Sequence, residues 1–177
     1  GNVYINAGQI QGNSGNIGFS LTGNNNTFYN LGEISGTTNS IVISGSGNQL
    51  VLGQMAYLPA FDVVVTGLGP SMSGAVSSTG DNDIVLTDNG SSAVAFSGFS
   101  DLTMRGNFWT LSGDFSLTGA GLGSLAVDAG SLLLTGAVDT AGGAAVRAGG
   151  SLFVGDAAGP GAVLVAPGGV SVAPGGT

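Results

Sequence analysis

Two phrases recur along this chain at fixed steps. Val127, Val146 and Val165 open three copies of one of them, 19 residues apart, and Gly149-Gly150-Ser151-Leu152 and Gly168-Gly169-Val170-Ser171 lie inside it. Near the other end, Asn6-x-Gly8-x-Ile10-x-Gly12 returns 24 residues later as Asn30-x-Gly32-x-Ile34-x-Gly36. Ile17 and Phe19 map onto Ile41 and Ile43 at that same step. Self-similarity at about 20 to 50 residues marks a stacked array, in which each unit buries its apolar face only against its neighbours. Inside each copy apolar residues alternate with small or polar ones, which is the period of a strand. The expected fold is therefore all-β, a single-stranded parallel β-helix (β-solenoid). At ~4.8 Å per coil, roughly seven to eight coils make a rod on the order of 35 Å long.

Thirty-five glycines in 177 residues would fit a disordered chain. A hydrophobic share of 42% with only 7% charged residues does not, because disorder pairs low hydrophobicity with high charge. Gly and Asn instead suit the corners of a coil, where the backbone turns through left-handed angles. The chain has neither Cys nor His, and its only cations are Arg105 and Arg147. With a net charge of −8 it lacks the Lys and Arg that displace counterions from phosphates, which argues against nucleic acid and anionic membrane surfaces as partners. No run approaches the ~20 apolar residues of a membrane-spanning helix. The chain begins and ends in mid-pattern, as expected of a mature piece or a fragment of something longer.

Composition also bounds the chemistry. A Ser-His-Asp or Cys-His arrangement is impossible without His or Cys. Paired carboxylates of the glycoside-hydrolase kind remain open, since these work ~5–10 Å apart. The ten acidic residues, however, are spread along the chain. No enzymatic activity, catalytic residue, metal site or cofactor is expected.

The chain divides into three stretches. Residues 1–53 read as long, asparagine-rich coils. Residues 54–70 read as a loop or insertion, because Pro59 lacks the N–H a central strand needs. Residues 71–177 read as coils that shorten toward the C-terminal end. The insertion carries Tyr57, Leu58 and Phe61, an apolar patch that either binds a partner, as loops on rigid scaffolds do, or covers the open side of the core. Trp109 alternates with Leu111 and is expected inside. Asn24-Asn25-Asn26 and Asn48 fall at matching corners, where stacked amides form a structural ladder. The acidic cluster from Asp81 to Asp88 has oxygens at Ca²⁺-ligand spacing but occurs once, so a polar turn is the favoured reading.

Phe96-Ser97-Gly98-Phe99-Ser100-Asp101-Leu102-Thr103-Met104, followed by Asn107-Phe108-Trp109-Thr110-Leu111-Ser112-Gly113, is the most specific stretch. It resembles the passenger domains of bacterial autotransporters, in which a Phe, a Leu and a Trp-Thr-Leu-x-Gly strand recur in this order. Val127-Asp128-Ala129-Gly130-Ser131-Leu132, Val146-Arg147-Ala148-Gly149-Gly150-Ser151-Leu152 and the closing Ala173-Pro174-Gly175 look like later coils of that family. The resemblance implies a right-handed helix on the bacterial cell surface or released from it after export through the outer membrane. It further implies a structural and interaction module, engaged in adhesion or self-association, whose partner is another copy, a host-cell surface or a glycan. Two alternatives stand beside it: a carbohydrate-active β-helix of the lyase or hydrolase kind, and a late-passenger segment that supports secretion and folding.

Overall fold

The computed structural model describes residues 1–12, 16–59, 62–155 and 162–177. Among these residues there is no helix, hence none long and apolar enough to cross a membrane. The first coil contains β1 (Val3–Asn6), β2 (Gln9–Gln11) and β3 (Ile17–Thr22), and the second β4 (Thr27–Asn30) and the long β5 (Glu33–Ser44). The third starts at β6 (Gln49–Leu52), leaves the coil as a hairpin of β7 (Met55–Leu58) and β8 (Val63–Thr66), and resumes with β9 (Ser71–Thr79). Three strands then make each turn. They are β10 (Asp83–Leu86), β11 (Asn89–Ser92) and β12 (Phe96–Phe99), then β13 (Asp101–Met104), β14 (Phe108–Leu111) and β15 (Phe115–Leu117). After β16 (Leu122–Val127), β17 (Gly130–Leu134) and β18 (Ala137–Thr140) come β19 (Gly143–Val146), β20 (Gly150–Val154) and β21 (Val163–Val165), and β22 (Val170–Val172) ends the series.

Among the described residues all ladders but that of the hairpin are parallel, and they stack into a β-solenoid of about seven turns with three faces. The first face runs unbroken through eight strands, β1-β4-β6-β10-β13-β16-β19-β22. The third face joins β3, the later arms of β5 and β9, and β12, β15, β18 and β21. On the second face β2 pairs with the early arm of β5 and that arm with the start of β9, while β11, β14, β17 and β20 form a separate four-stranded sheet.

The interior is built from columns. Phe28, Leu50, Ile84, Leu102, Leu125 and Ala144 lie one above the next and are fully buried, and Val170 continues them at the open end. Burying one such Leu or Ile side chain is worth about 1.5–3 kcal/mol, so the columns carry most of the stability. Phe96 stacks on Phe115 with ring centroids 4.3 Å apart. At the N-terminal end Phe19 stacks on Phe28, and Tyr4 meets Phe19 edge-on, so aromatic rings close that end of the core. Trp109 is fully buried, as expected, and its indole N–H donates to the Thr87 carbonyl at 2.9 Å.

A neighbouring column measures the coils. Asn6, Asn30, Leu52, Leu86, Met104, Val127, Val146 and Val172 stand in register. The steps between them are 24, 22, 34, 18, 23, 19 and 26 residues. Two expectations change here. Ile17 and Phe19 pair with Asn39 and Ile41, a step of 22 and not 24. A slip of two residues leaves every side chain on its own side of the sheet, so both registers satisfy the hydrophobic pattern. Val165 does not stack on Val146: it sits on the third face opposite Asp139, and Val172 takes the place above Val146. Corners absorb the differences in length, while the strands hold the columns.

The amide ladder occupies the corner before the first face. Asn48 Oδ1 accepts from the backbone N–H and the side-chain amide of Asn26, and Asn82 Oδ1 accepts the same pair of bonds from Asn48, all at 2.9–3.0 Å. Asn24 stands outside it and accepts from the Ser46 N–H. A second, shorter ladder joins Asn6 to Asn30 at 2.9 Å and stops there, because the next residue in register is Leu52. The buried Asn30 Nδ2 is left without a partner.

Candidate functional site

The acidic residues come first because they bear the chemistry left open by composition. Asp83 and Asp101 are register partners on adjacent strands of the first face, with Asp81 nearby. Burial, then the negative charges of Asp101 and Asp81, push the Asp83 carboxyl above its ordinary value, although the Asp101 N–H bonds it and pulls the other way. Asp101 is raised by burial and by Asp81. Asn82, between Asp81 and Asp83, turns inward to the amide ladder. Asp128 lies apart and accepts from Arg147 at 2.7 Å and Arg105 at 3.4 Å, which ties both cations of the chain to one carboxylate. Among the described residues, no three His, Cys, Asp or Glu side chains converge as a metal site. None of the three cavities described below is lined by Asp81, Asp83, Asp101 or Asp128.

The insertion is a hairpin that leaves the coil between the first and second faces. On β7, Ala56 is buried while Tyr57 is 55% exposed, and the Tyr57 hydroxyl donates to Asp62 Oδ1 at 3.0 Å. Leu58 is half-buried, and Phe61 lies outside the described residues. The described part of the patch therefore presents Tyr57 to solvent and lines none of the cavities.

A concavity lies beside this hairpin, where the second face breaks. Among the described residues, β11 bonds to β14 but to no strand on its other side. Asp88 and Ser92 give their carbonyls to Asn107 and Ser112 of the next coil. Successive residues of a parallel ladder direct their backbone groups to opposite neighbours, so Asn89 and Ser91 turn theirs toward the break. Two causes keep β9 and β11 apart. Pro70 has no N–H to give, and the insertion enters and leaves the coil at this corner. The Asp88 carboxylate pins that entry by accepting from the Gln54 and Met55 N–H groups at 2.9 and 3.0 Å.

The break is a groove of about 410 Å³, within the roughly 300–1,000 Å³ usual for small-molecule sites. Ser71 and Pro70 line one side, and Asn89, Gly90, Ser91, Phe108 and Thr110 the other. Gln54, Leu68 and Gly69 close the end, with the Leu68 side chain 99% exposed. The block is ordered by strand alternation: Asn89 pairs with Phe108 and Ser91 with Thr110, all outward, while Trp109 and Leu111 fill the core. A Cβ on Gly90 would overlap the six-membered ring of the buried Trp109, so this rung carries glycine. Phe108 is 47% exposed. Beyond Leu68, Gly69 and Ser71 the concavity continues as a second pocket of about 370 Å³ along Gly8, Gln9, Gly32 and Glu33. A third, of about 290 Å³, runs between Gln11, Ser35, Thr37 and Ser73.

Sequence reasoning missed this groove. Asn89-Gly90-Ser91-Ser92 has no strand signature, and Phe108 was legible only by alternation once Trp109 is placed inside. Comparison with known protein families, with curated proteins and with solved structures finds no match.

Proposed function

We propose that this chain is a structural and interaction module, the shaft of a surface-exposed or secreted bacterial passenger that acts by adhesion or self-association. The parallel solenoid and the autotransporter-like phrases in residues 96–177 support that reading together. The observation that carries it is the later half of the second face. Its outward positions are Asn89, Ser91, Phe108, Thr110, Ser131, Leu133, Ser151 and Phe153, a strip without one charged side chain. Uncharged hydroxyls and amides on a rigid face, interrupted by exposed rings, suit contact with another surface through many weak bonds. A carboxylate-driven activity on polysaccharides has less support, because the paired carboxylates Asp83 and Asp101 line none of the three cavities.

Displayed on a host cell that does not clump, the chain should cause aggregation or retention on a coated surface. Antibody labelling of intact cells of the source bacterium should find it exposed. A strictly monomeric rod that retains no cells would overturn the adhesive reading, and a wholly intracellular location would overturn the passenger reading.

A further inference from the structure

We infer that the groove between β9 and β11 is a binding subsite for a neutral saccharide; the inference rests on the interaction-module reading and gives that module its ligand class. The first argument is charge. Among the described residues no ionisable side chain lines the groove, so a phosphate or a carboxylate would meet no counter-charge there. The second is the kind of hydrogen bond on offer. Gln54, Ser71, Asn89, Ser91 and Thr110 carry amides and hydroxyls, each able to donate and accept, which is what a ring of sugar hydroxyls requires. The third is Phe108, whose half-exposed ring stands beside Asn89 and offers an apolar face to the C–H side of a pyranose.

A free strand edge also invites an extended peptide. Here the neighbouring faces oppose it. β6 bonds directly to β10 on the first face, and β9 to β12 on the third, so the two coils that flank the groove are held one strand spacing apart. An intervening peptide strand would need two spacings, roughly 9–10 Å. A saccharide that lies along the groove needs no such opening. The site is also preorganised, since Trp109 packs under Gly90 and fixes the rung that carries Asn89 and Ser91.

The test is titration of the full chain with neutral hexasaccharides of glucose, mannose, galactose and N-acetylglucosamine, beside a sialylated trisaccharide and a uronic acid hexamer. At least one neutral probe should bind in preference to the acidic ones. Phe108→Ala should weaken it about tenfold or more, with the unfolding midpoint unchanged because the ring is outside the core. Affinity should be flat between about pH 5 and 8 and across about 0.05–0.5 M salt, since no described side chain that lines the groove between β9 and β11 carries a charge. Preference for the acidic probes, or undiminished affinity in Phe108→Ala, overturns the assignment, as does a peptide seated on β11. Failure of every neutral probe while displayed chain still clumps cells overturns the saccharide and leaves the module; failure of both removes both.

Discussion

Asn48 commits every polar atom of its side chain. Its oxygen accepts two bonds from Asn26, and its nitrogen donates to Asn82 Oδ1 and, at 2.7 Å, to the Gly23 carbonyl. Truncation would leave the buried Asn26 groups without partners, so Asn48→Ala should cost about 2–4 kcal/mol. The unfolding midpoint should fall by roughly 5–15 °C, readable by calorimetry. The carboxyls of Asp83 and Asp101 work in the opposite direction. Their folded values lie above the ordinary 3.8. The folded state therefore binds protons more tightly than the unfolded one, and the stability this confers is complete below about pH 3.8 and lost as pH rises through the elevated values. The Asp83–Asp101 pair thus opposes folding at neutral pH. Asp83→Asn should raise the midpoint at pH 7 and flatten its dependence on pH in the acid range; a lower midpoint at pH 7 would contradict the assignment.

At the scale of elements, what was legible in the sequence was whatever obeys a period of two. The columns from Phe28 to Ala144 and the inward placement of Trp109 follow from alternation alone. Register did not, because the two-residue slip between Phe19 and Ile41 is silent in that pattern, and Val165 repeats a phrase while standing on a different face. The groove was hidden for a further reason. It arises from the failure of β9 and β11 to pair, which depends on where the insertion leaves the coil and not on any motif. Asp88 governs that departure. Asp88→Ala removes the acceptor for two backbone N–H groups near the surface, at a cost of about 0.5–1.5 kcal/mol. Amide exchange at Gln54 and Met55 should accelerate while Leu50 and Ile84 stay protected, and affinity in the adjacent groove should change with it.

Over the whole molecule, each coil rests only on its neighbours, and the two ends differ. Rings of Tyr4, Phe19 and Phe28 close one end, whereas Val170 and Val172 continue the core columns at the other and are more than half exposed. The inward Ala144 and the exposed Val170 follow Leu125 in the same column, so burial thins toward that end. Hydrogen exchange should accordingly be graded, fastest in β20–β22 and slowest in β10–β14; one uniform rate from a single global opening would contradict a coil-by-coil architecture. The direction of the ladders has a mechanical consequence. Their bonds join coil to coil and so point along the rod, and a pull between its ends loads one coil's bonds at a time. Such a shaft does not shear as a block; it unspools, and a coil of roughly 18–26 residues, outside the one that carries the insertion, releases about 60–90 Å of chain before the next one bears the load.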